Sequence, residues 1–570
     1  MRIRLILLKL FTIVGFLLIL SRFFYWQVIK SKELTRLVAP QHERKSVETA
    51  YRGKILASDG TILVGSADSW NLFAEPYKIS DPDMVAEKLA PLLVKDKYDS
   101  KELSEEKETL RKILREQDKY WAPIKNRLNS SEKEAIASLG YNFLGFDRVE
   151  VRRYPESSVS ANLLGFLGKN QDGENQGYFG LEGYYDNILS SSPGVQKGET
   201  DIKGIPILIG KSKKVPSFSG VDLVTYIDKG VQLIADEELK LGIEKYGALN
   251  GSVIIMDPAT GGILAMSSYP SFNPERYWEY SNELFLNPVI SSSFEPGSIF
   301  KIIIMASAVD ISAVKPDTKC TICSGPVHID KYEIQTWNNK YFPDSSMKDV
   351  IVHSDNVGMT FVAQNIGVER NYEYLKKFGF GEKTGIDLQG ESNAPLRKKE
   401  DWSEVDLYTS SFGQGIAVTP IQMLAAANVI ANGGIYVKPA VVKNALIEET
   451  DYDFRKNEDT RRVISQKAAT EIKMMMVEAA KNGESKWTYK RGYGVAGKTG
   501  TAQIPISGHY DAEKTIASFI GFAPYNNPKF IMLLTLREPK SSPWASETAA
   551  PLWYRIAERL FVHFGIMPEK

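Results

Sequence analysis

A serine three residues ahead of a lysine, where a Pro-Gly break gives way to an apolar helix, can supply a nucleophile and its base. That arrangement stands at Glu295-Pro296-Gly297-Ser298-Ile299-Phe300-Lys301, which runs into Ile302-Ile303-Ile304-Met305-Ala306. The Gly-then-apolar pattern predicts a helix starting at or near Ser298. Positions i and i+3 share a helix face, so Lys301 stands over the same groove as the Ser298 hydroxyl. A serine hydroxyl becomes a competent nucleophile when a neighbouring base takes its proton, and a neutral lysine can do so. A helix N-terminus also offers free backbone N–H groups to developing negative charge. Taken alone, Ser-x-x-Lys carries little weight, since such pairs arise by chance several times in 570 residues.

Two later stretches change that weight. Ser354-Asp355-Asn356 offers a hydroxyl that can relay a proton to a leaving amine, and an amide that can hold Lys301 and a substrate carbonyl. Lys498-Thr499-Gly500-Thr501, inside Val495-Ala496-Gly497-Lys498-Thr499-Gly500-Thr501-Ala502-Gln503, adds a second cation. Lys498 favours a substrate carboxylate and disfavours protonation of Lys301. Gly497 and Gly500 are expected to remove side chains where a substrate backbone lies against a strand. Each stretch alone would read as a turn or a strand end; the three in this order, at domain-scale separations, do not arise by chance.

The set resembles class B penicillin-binding proteins, the monofunctional peptidoglycan transpeptidases, whose motifs are Ser-x-x-Lys, Ser-x-Asn and Lys-Thr-Gly. The resemblance extends over nearly the whole chain. It includes Gly220-Val221-Asp222-Leu223-Val224-Thr225-Tyr226-Ile227-Asp228, Asp257-Pro258-Ala259-Thr260-Gly261-Gly262-Ile263-Leu264-Ala265-Met266 and Phe412-Gly413-Gln414-Gly415-Ile416-Ala417-Val418-Thr419-Pro420. Nearer the N-terminus, Ala50-Tyr51-Arg52-Gly53-Lys54-Ile55 through Leu63 resembles the family's opening block, with Ala57-Ser58 in place of the usual Asp-Arg. Arg153-Tyr154-Pro155 and Gly180-Leu181-Glu182-Gly183-Tyr184-Tyr185-Asp186 resemble its second pedestal block.

Composition agrees with an ordinary folded protein: 43% hydrophobic and 25% charged residues, with Lys+Arg and Asp+Glu both at 70. A balanced charge argues against nucleic-acid binding, and five scattered histidines suggest neither a metal site nor any other cofactor. His353, beside Ser354, reads as a helix-end or packing residue. Cys320 and Cys323 are the only cysteines; a disulfide outside the cytoplasm, free thiols and a metal or redox role all stay open, and a bridge would close too short a loop to stabilise much.

Residues 1–29 read as a cytoplasmic tip and a signal anchor. Arg2, Arg4 and Lys9 precede or interrupt the apolar run, Leu10 to Ser21 is uncharged, and Phe23-Phe24-Tyr25-Trp26 suits a membrane–water interface. No small-residue cleavage site follows, so the anchor is expected to persist. Lys30 to about Lys45 reads as a polar helical stalk, Asp59-Gly60 as a hairpin turn, and Asp81 to about Leu139 as charged helices. A linker at Lys211-Ser212-Lys213-Lys214-Val215-Pro216 separates a pedestal at 30–215 from a second domain at 216–570. There, Ser252–Met256, Ile263–Met266, the Lys-Thr-Gly stretch, Ser518–Phe522 and Phe530–Leu536 read as strands. Ser298–Val309, Ile421–Ala431 and Pro551–Phe564 read as helices. The pattern is α+β, a sheet flanked by helices.

The resemblance implies a dimerisation-type pedestal, a penicillin-binding/β-lactamase-like transpeptidase domain, and a single-pass protein of the cytoplasmic membrane with its catalytic domain outside. It also implies a serine D,D-transpeptidase acting on peptidoglycan stem peptides and acylated by β-lactams. Ser298, Lys301, Ser354, Asn356 and Lys498 would be catalytic, and Thr499, Gly500 and Thr501 would bind substrate. Leu72-Phe73-Ala74-Glu75-Pro76 followed by Asp81-Pro82-Asp83 looks more like the division type than the elongation type, with a polytopic glycan polymerase as partner. Pedestal blocks account for residues 30–215, which leaves no glycosyltransferase-like module there. A hydrolase (carboxypeptidase or β-lactamase) and a β-lactam sensor or scaffold are the competing readings.

Overall fold

The computed structural model describes residues 2–34, 43–48, 50–94, 96, 98–155, 160–199, 212–329, 332–447, 450–453, 460–506 and 509–569. They fall into two compact units, Met1–Arg52 with Ser190–Gly220, and Gly53–Leu189 with Val221–Lys570.

In the first unit, Arg2–Phe24 is an α-helix that continues as a π-helical turn over Tyr25–Ile29. Among the described residues it is the one helix long and apolar enough to cross a membrane, judged by length and composition. The Arg22 guanidinium lies over the Tyr25 and Trp26 rings, 5.5 and 5.0 Å from their centroids. The expected stalk is helical only as far as Leu34; residues 35–42 lie outside the described residues, and Glu43–Glu48 is a strand. That strand pairs antiparallel with Gly194–Glu199, which pairs with Ser212–Val215. The expected linker is therefore partly a strand, Lys211 lying outside the described residues. Strand pairing across some 150 positions leaves no trace in local periodicity.

In the second unit, Asp59-Gly60 makes the expected turn, joining Ile55–Leu56 to the long strand Ile62–Ala74. Helices Pro82–Leu89, Ser100–Leu114 and Ser130–Ala137 follow. The helical expectation for 81–139 fails at Ala122–Leu128, a strand pairing with Trp70–Ala74. Pro123 would break a helix interior, and the neighbouring strand supplies the hydrogen bonds instead. Asp222–Thr225 runs parallel to Ile55–Leu56 and antiparallel to Val442–Leu446, so one sheet takes strands from both sides of the boundary expected at 215–216. Cys320 and Cys323 form a disulfide.

The remaining sheet positions the site. Its strands are β1 (Asn250–Met256), β2 (Ile263–Tyr269), β3 (Ala496–Ile506), β4 (His509–Ala523) and β5 (Phe530–Arg537). They run antiparallel in the order β2-β1-β5-β4-β3, with β3 at the edge. Alternate side chains go to opposite faces. Val253, Ile255, Phe519 and Met532 pack against helices α1 (Lys229–Tyr246) and α6 (Ala549–His563). Ile254, Met256, Ile520 and Ile531 face the larger core. That core holds α2 (Lys301–Asp310), α3 (Asn356–Ile366), α4 (Pro420–Ala431) and α5 (Gln466–Asn482). Both faces are covered, which explains the continuous apolar runs Val253–Met256 in β1 and Phe530–Leu534 in β5. α4 starts where it was expected, with Pro420 in its first turn and a reciprocal Thr419–Gln422 capping box.

One pedestal contact tests this packing. Arg152 Nε donates to Glu182 Oε1 at 2.7 Å, both side chains being almost wholly buried, and Arg152 Nη1 donates to Ser66 Oγ at 3.2 Å. Removing one partner strands a buried charge. Glu182→Ala should therefore destabilise the folded protein by about 3–5 kcal/mol. Thermal unfolding checks this, with the doubly apolar Arg152→Met/Glu182→Leu variant expected to recover much of the loss.

Candidate active site

Ser298 lies on a single 3-10 turn, Gly297–Phe300, which leads straight into α2 at Lys301. The turn is held from behind. Gly297 has φ +57° and donates its N–H to Gly413 O at 3.0 Å. Gly413 has φ +81°, and a Cβ there would fall 2.2 Å from Gly297 O. The Glu295 carboxylate accepts the Gly415 N–H at 3.1 Å. The Phe412-Gly413-Gln414-Gly415 stretch is thus a brace for the serine turn.

The edge strand β3 brings in the third motif, with Gly500 opposite Ser518 and Thr501 opposite Ala517. A Cβ on Gly500 would lie 2.7 Å from Ser518 Oγ, 2.8 Å from Ile299 Cγ2 and 3.1 Å from Ile299 N. A Cβ on Gly497 would meet the Phe519 ring at 2.5 Å. The room these glycines leave is thus filled by the protein itself, Gly500 allowing the serine turn to rest on the lysine strand.

Between turn and strand lies a buried polar group. Lys301 is wholly buried; its Nζ donates to Ser354 O at 2.5 Å and Asn356 Oδ1 at 2.8 Å, and stands 3.3 Å from Ser354 Oγ. Lys498 Nζ, 3% exposed as a residue, donates to the same Ser354 Oγ at 3.0 Å and to Thr499 O at 3.1 Å. One hydroxyl therefore connects two lysines. Ser354 reaches this position with φ +55°, between the helix Met347–Val352 and α3. Asp355 caps α3, accepting the Val357 and Gly358 N–H groups at 2.8 and 3.1 Å. Asn356 Nδ2 donates to Gln335 O at 3.0 Å. His353 ends its helix and stacks on Phe342, the packing role expected of it.

Burial pushes Lys301 down to about 7, the Lys498 charge acting in the same direction while Asp355 and Glu484 oppose it. Burial also lowers Lys498, with Glu484 again opposing. A lysine at about 7 is present in large part as the free amine at neutral pH, which is what a general base requires.

A cleft of about 210 Å³ opens in front of this group, lined by Ser298, Asn356, Thr501, Gln503, Trp337 and Trp544 among others. Ser298 is half-buried at its edge. The Trp337 and Trp544 rings lie 5.2 Å apart, Trp337 Nε1 donates to His353 O at 3.3 Å, and the Ala545 N–H is received by Thr501 Oγ1 at 3.0 Å. A larger cavity of about 390 Å³ beside Ser252, Phe294 and Arg537 contains none of the motif residues.

All the expected site residues come together: Ser298, Asn356 and Thr501 on the cleft, Lys301, Ser354, Lys498 and Thr499 in the hydrogen-bonded group behind it, and Gly500 in the packing beneath the serine turn. Sequence reasoning missed Trp337, Trp544 and Glu484. Exposed tryptophans far apart in the chain carry no spacing signal, and Glu484, whose Oε2 accepts the Thr499 hydroxyl proton at 2.9 Å, stands in no motif.

Residues 251–558 match the penicillin binding protein transpeptidase domain, and residues 47–225 the penicillin-binding protein dimerisation domain. The chain is 30% identical to stage V sporulation protein D of Bacillus subtilis (strain 168), over 100% of this chain and 86% of that protein. It is 28% identical to peptidoglycan D,D-transpeptidase FtsI of Buchnera aphidicola subsp. Baizongia pistaciae, over 98% and 94%. Among solved structures, penicillin binding protein 2X of Streptococcus thermophilus superposes with a TM-score of 0.73 at 24% identity, over 92% of this chain and 80% of that one. Penicillin binding protein 3 of Mycobacterium tuberculosis in complex with aztreonam superposes with a TM-score of 0.70 at 23% identity, over 92% and 98%. The chain belongs to the penicillin-binding proteins, as a class B member that carries both the dimerisation and the transpeptidase domain.

The contact at Gly500 gives a direct test. Gly500→Ala should force the serine turn off the strand, at about 1–3 kcal/mol of overpacking, and should lower penicillin labelling well beyond what the fall in melting temperature explains. Labelling at the unmodified rate would show that the turn and the strand need not touch.

Proposed function

We propose that this protein is a serine D,D-transpeptidase that cross-links peptidoglycan stem peptides in cell-wall synthesis at division, and that β-lactams acylate the same serine. The observation that carries the reading is the buried Lys301–Ser354–Lys498 group behind the Ser298 turn. A relative bearing the name peptidoglycan D,D-transpeptidase, matched over nearly its whole length, supports it.

In the first half-reaction, Ser298 Oγ attacks the carbonyl carbon of the penultimate D-alanine while its proton passes to the free amine of Lys301. The backbone N–H groups of Ser298 and Thr501 receive the oxyanion, a contribution of about 3–4 kcal/mol in comparable sites. The peptide C–N bond then breaks. Ser354 Oγ, within hydrogen-bond reach of both lysines, relays a proton to the departing D-alanine amine. Lys498, with the Thr499 and Thr501 hydroxyls, holds the donor carboxylate. In the second half-reaction, an amine of a neighbouring stem attacks the Ser298 ester, loses its proton through the same relay, and frees the serine. A penicillin follows the first half-reaction, but its leaving amine stays tethered to the acyl group.

A hydrolase would carry the same motifs and differ only in deacylation, which needs a carboxylate to activate water at the ester. Glu484 is engaged by Thr499, and the cleft that holds Ser298 is not lined by it. Wild-type protein should therefore form a penicilloyl-Ser298 ester that persists for many minutes to hours without turnover, and Ser298→Ala should form none. Intact-protein mass spectra after drug removal check both. Loss of the adduct within seconds with steady drug consumption would make the protein a hydrolase, and labelling of another serine would overturn the assignment of Ser298.

Arg2, Arg4 and Lys9 favour an N-terminus held in the cytoplasm, with residues past Gln27 outside. There the catalytic region would reach its substrate, and a polytopic glycan polymerase of the division machinery would be its partner. A reporter active only outside the cytoplasm, fused near Pro216, should be active; an inactive reporter with a correctly expressed fusion would reverse the orientation.

A further inference from the structure

The Thr499 hydroxyl has a single proton, and Glu484 Oε2 takes it at 2.9 Å, while Lys498 Nζ stands 3.3 Å from the same oxygen. Glu484 follows the end of α5 at Asn482 and Gly483, and is half-buried. The turn that carries it is pressed close to the second motif: a Cβ on Gly483 would fall 2.3 Å from Ala479 O and 3.0 Å from Val352 O, two residues before Ser354. The residue before Glu484 thus packs against the segment that supplies the proton relay, and the Glu484 carboxylate lies on the neighbour of Lys498.

We propose that Glu484 is a positioning residue for acyl transfer, which fixes the direction of the Thr499 hydroxyl and offsets the charge of Lys498 beside the general base. This rests on the acyl-transfer reading of the site and deepens it. Two consequences follow from the chemistry. While its proton is given to Glu484, Thr499 has none to give a donor carboxylate, so Glu484 competes with the substrate carboxylate and repels it. And the negative charge of Glu484 favours the protonated form of Lys301, against burial and against Lys498. Lys498 on β3, Asp355 at the start of α3 and Glu484 after α5 are the charged groups that act on Lys301.

The sign is fixed by the role of Lys301. Its free amine is the working form, so acylation declines as pH falls through about 7, where Lys301 takes up its proton. Glu484→Gln keeps an acceptor for Thr499 and removes the charge, so Lys301 gains its proton only at lower pH. The acid limb of the acylation profile should move to lower pH. On the alkaline plateau, where Lys301 is unprotonated in both proteins, the rate with a carboxylate-bearing penicillin should rise about threefold through tighter binding, with the limiting rate little changed.

The experiment follows acylation of the full chain in detergent by a fluorescent penicillin across about pH 5 to 9, resolved into binding and limiting rate, with melting temperatures measured in parallel. Glu484→Asp, which retains the charge, should keep the acid limb of the wild type. An acid limb that stays put in Glu484→Gln, a limb displaced equally in Glu484→Asp, or a rate lowered uniformly at all pH with a lower melting temperature would each overturn the proposal. Failure of the wild type to be labelled would instead overturn the acyl-transfer reading itself, so the two failures are distinct.

Discussion

Two lysines share one serine hydroxyl in a place that water does not reach, and much of the structure serves to make that possible. An ammonium dislikes burial, and two of them dislike each other's company more. Lys301 answers by giving up its proton easily, which turns an electrostatic burden into basicity. Lys498 keeps its place through Ser354 Oγ and the Thr499 carbonyl. Asp355 and Glu484 limit how far the balance tips.

Such a balance needs fixed geometry, because hydrogen bonds between buried groups lose their value when a partner shifts. Three chain segments meet here, and each is held by a different device. The serine turn is braced by the backbone of Gly413 and the Glu295–Gly415 contact. Asp355 caps the helix that presents Asn356, while Ser354 takes a left-handed backbone to aim its hydroxyl at both lysines. The lysine strand has a covered sheet behind it and accepts the serine turn only because Gly500 has no side chain.

The pedestal blocks are joined to this machinery by shared strands. Val442–Ile447, from the part of the chain that carries the motifs, extends the sheet that begins with Ile55–Leu56, by way of Asp222–Thr225. Sequence blocks that read as separate domains thus meet in one hydrogen-bonded sheet, and its strand Leu144–Arg153 is tied through the buried Arg152–Glu182 pair to the Gly180–Asp186 stretch.

What the sequence determined by itself were the parts whose physics is local or whose motifs are dense. The membrane-length helix, the Asp59-Gly60 hairpin, the capped helix at Pro420 and the apolar strands of the five-stranded sheet announce themselves through periodicity and turn chemistry. The eight site residues were legible because a nucleophile, a relay and a carboxylate-binding strand each need particular side chains at short spacing. Tertiary structure decided the rest. The strands at Glu43–Glu48 and Ala122–Leu128 exist through partners distant in the chain, which periodicity does not reveal; at the second, Pro123 was the local sign against a helix. The glycines of the third motif were legible as close approaches, but which surface approaches them was not. Glu484, Trp337 and Trp544 reach the site only through folding, and the depressed basicity of Lys301 exists only once water has been removed from around it. Residue type and spacing can specify which groups could react; burial and the meeting of distant segments decide the state in which they do so.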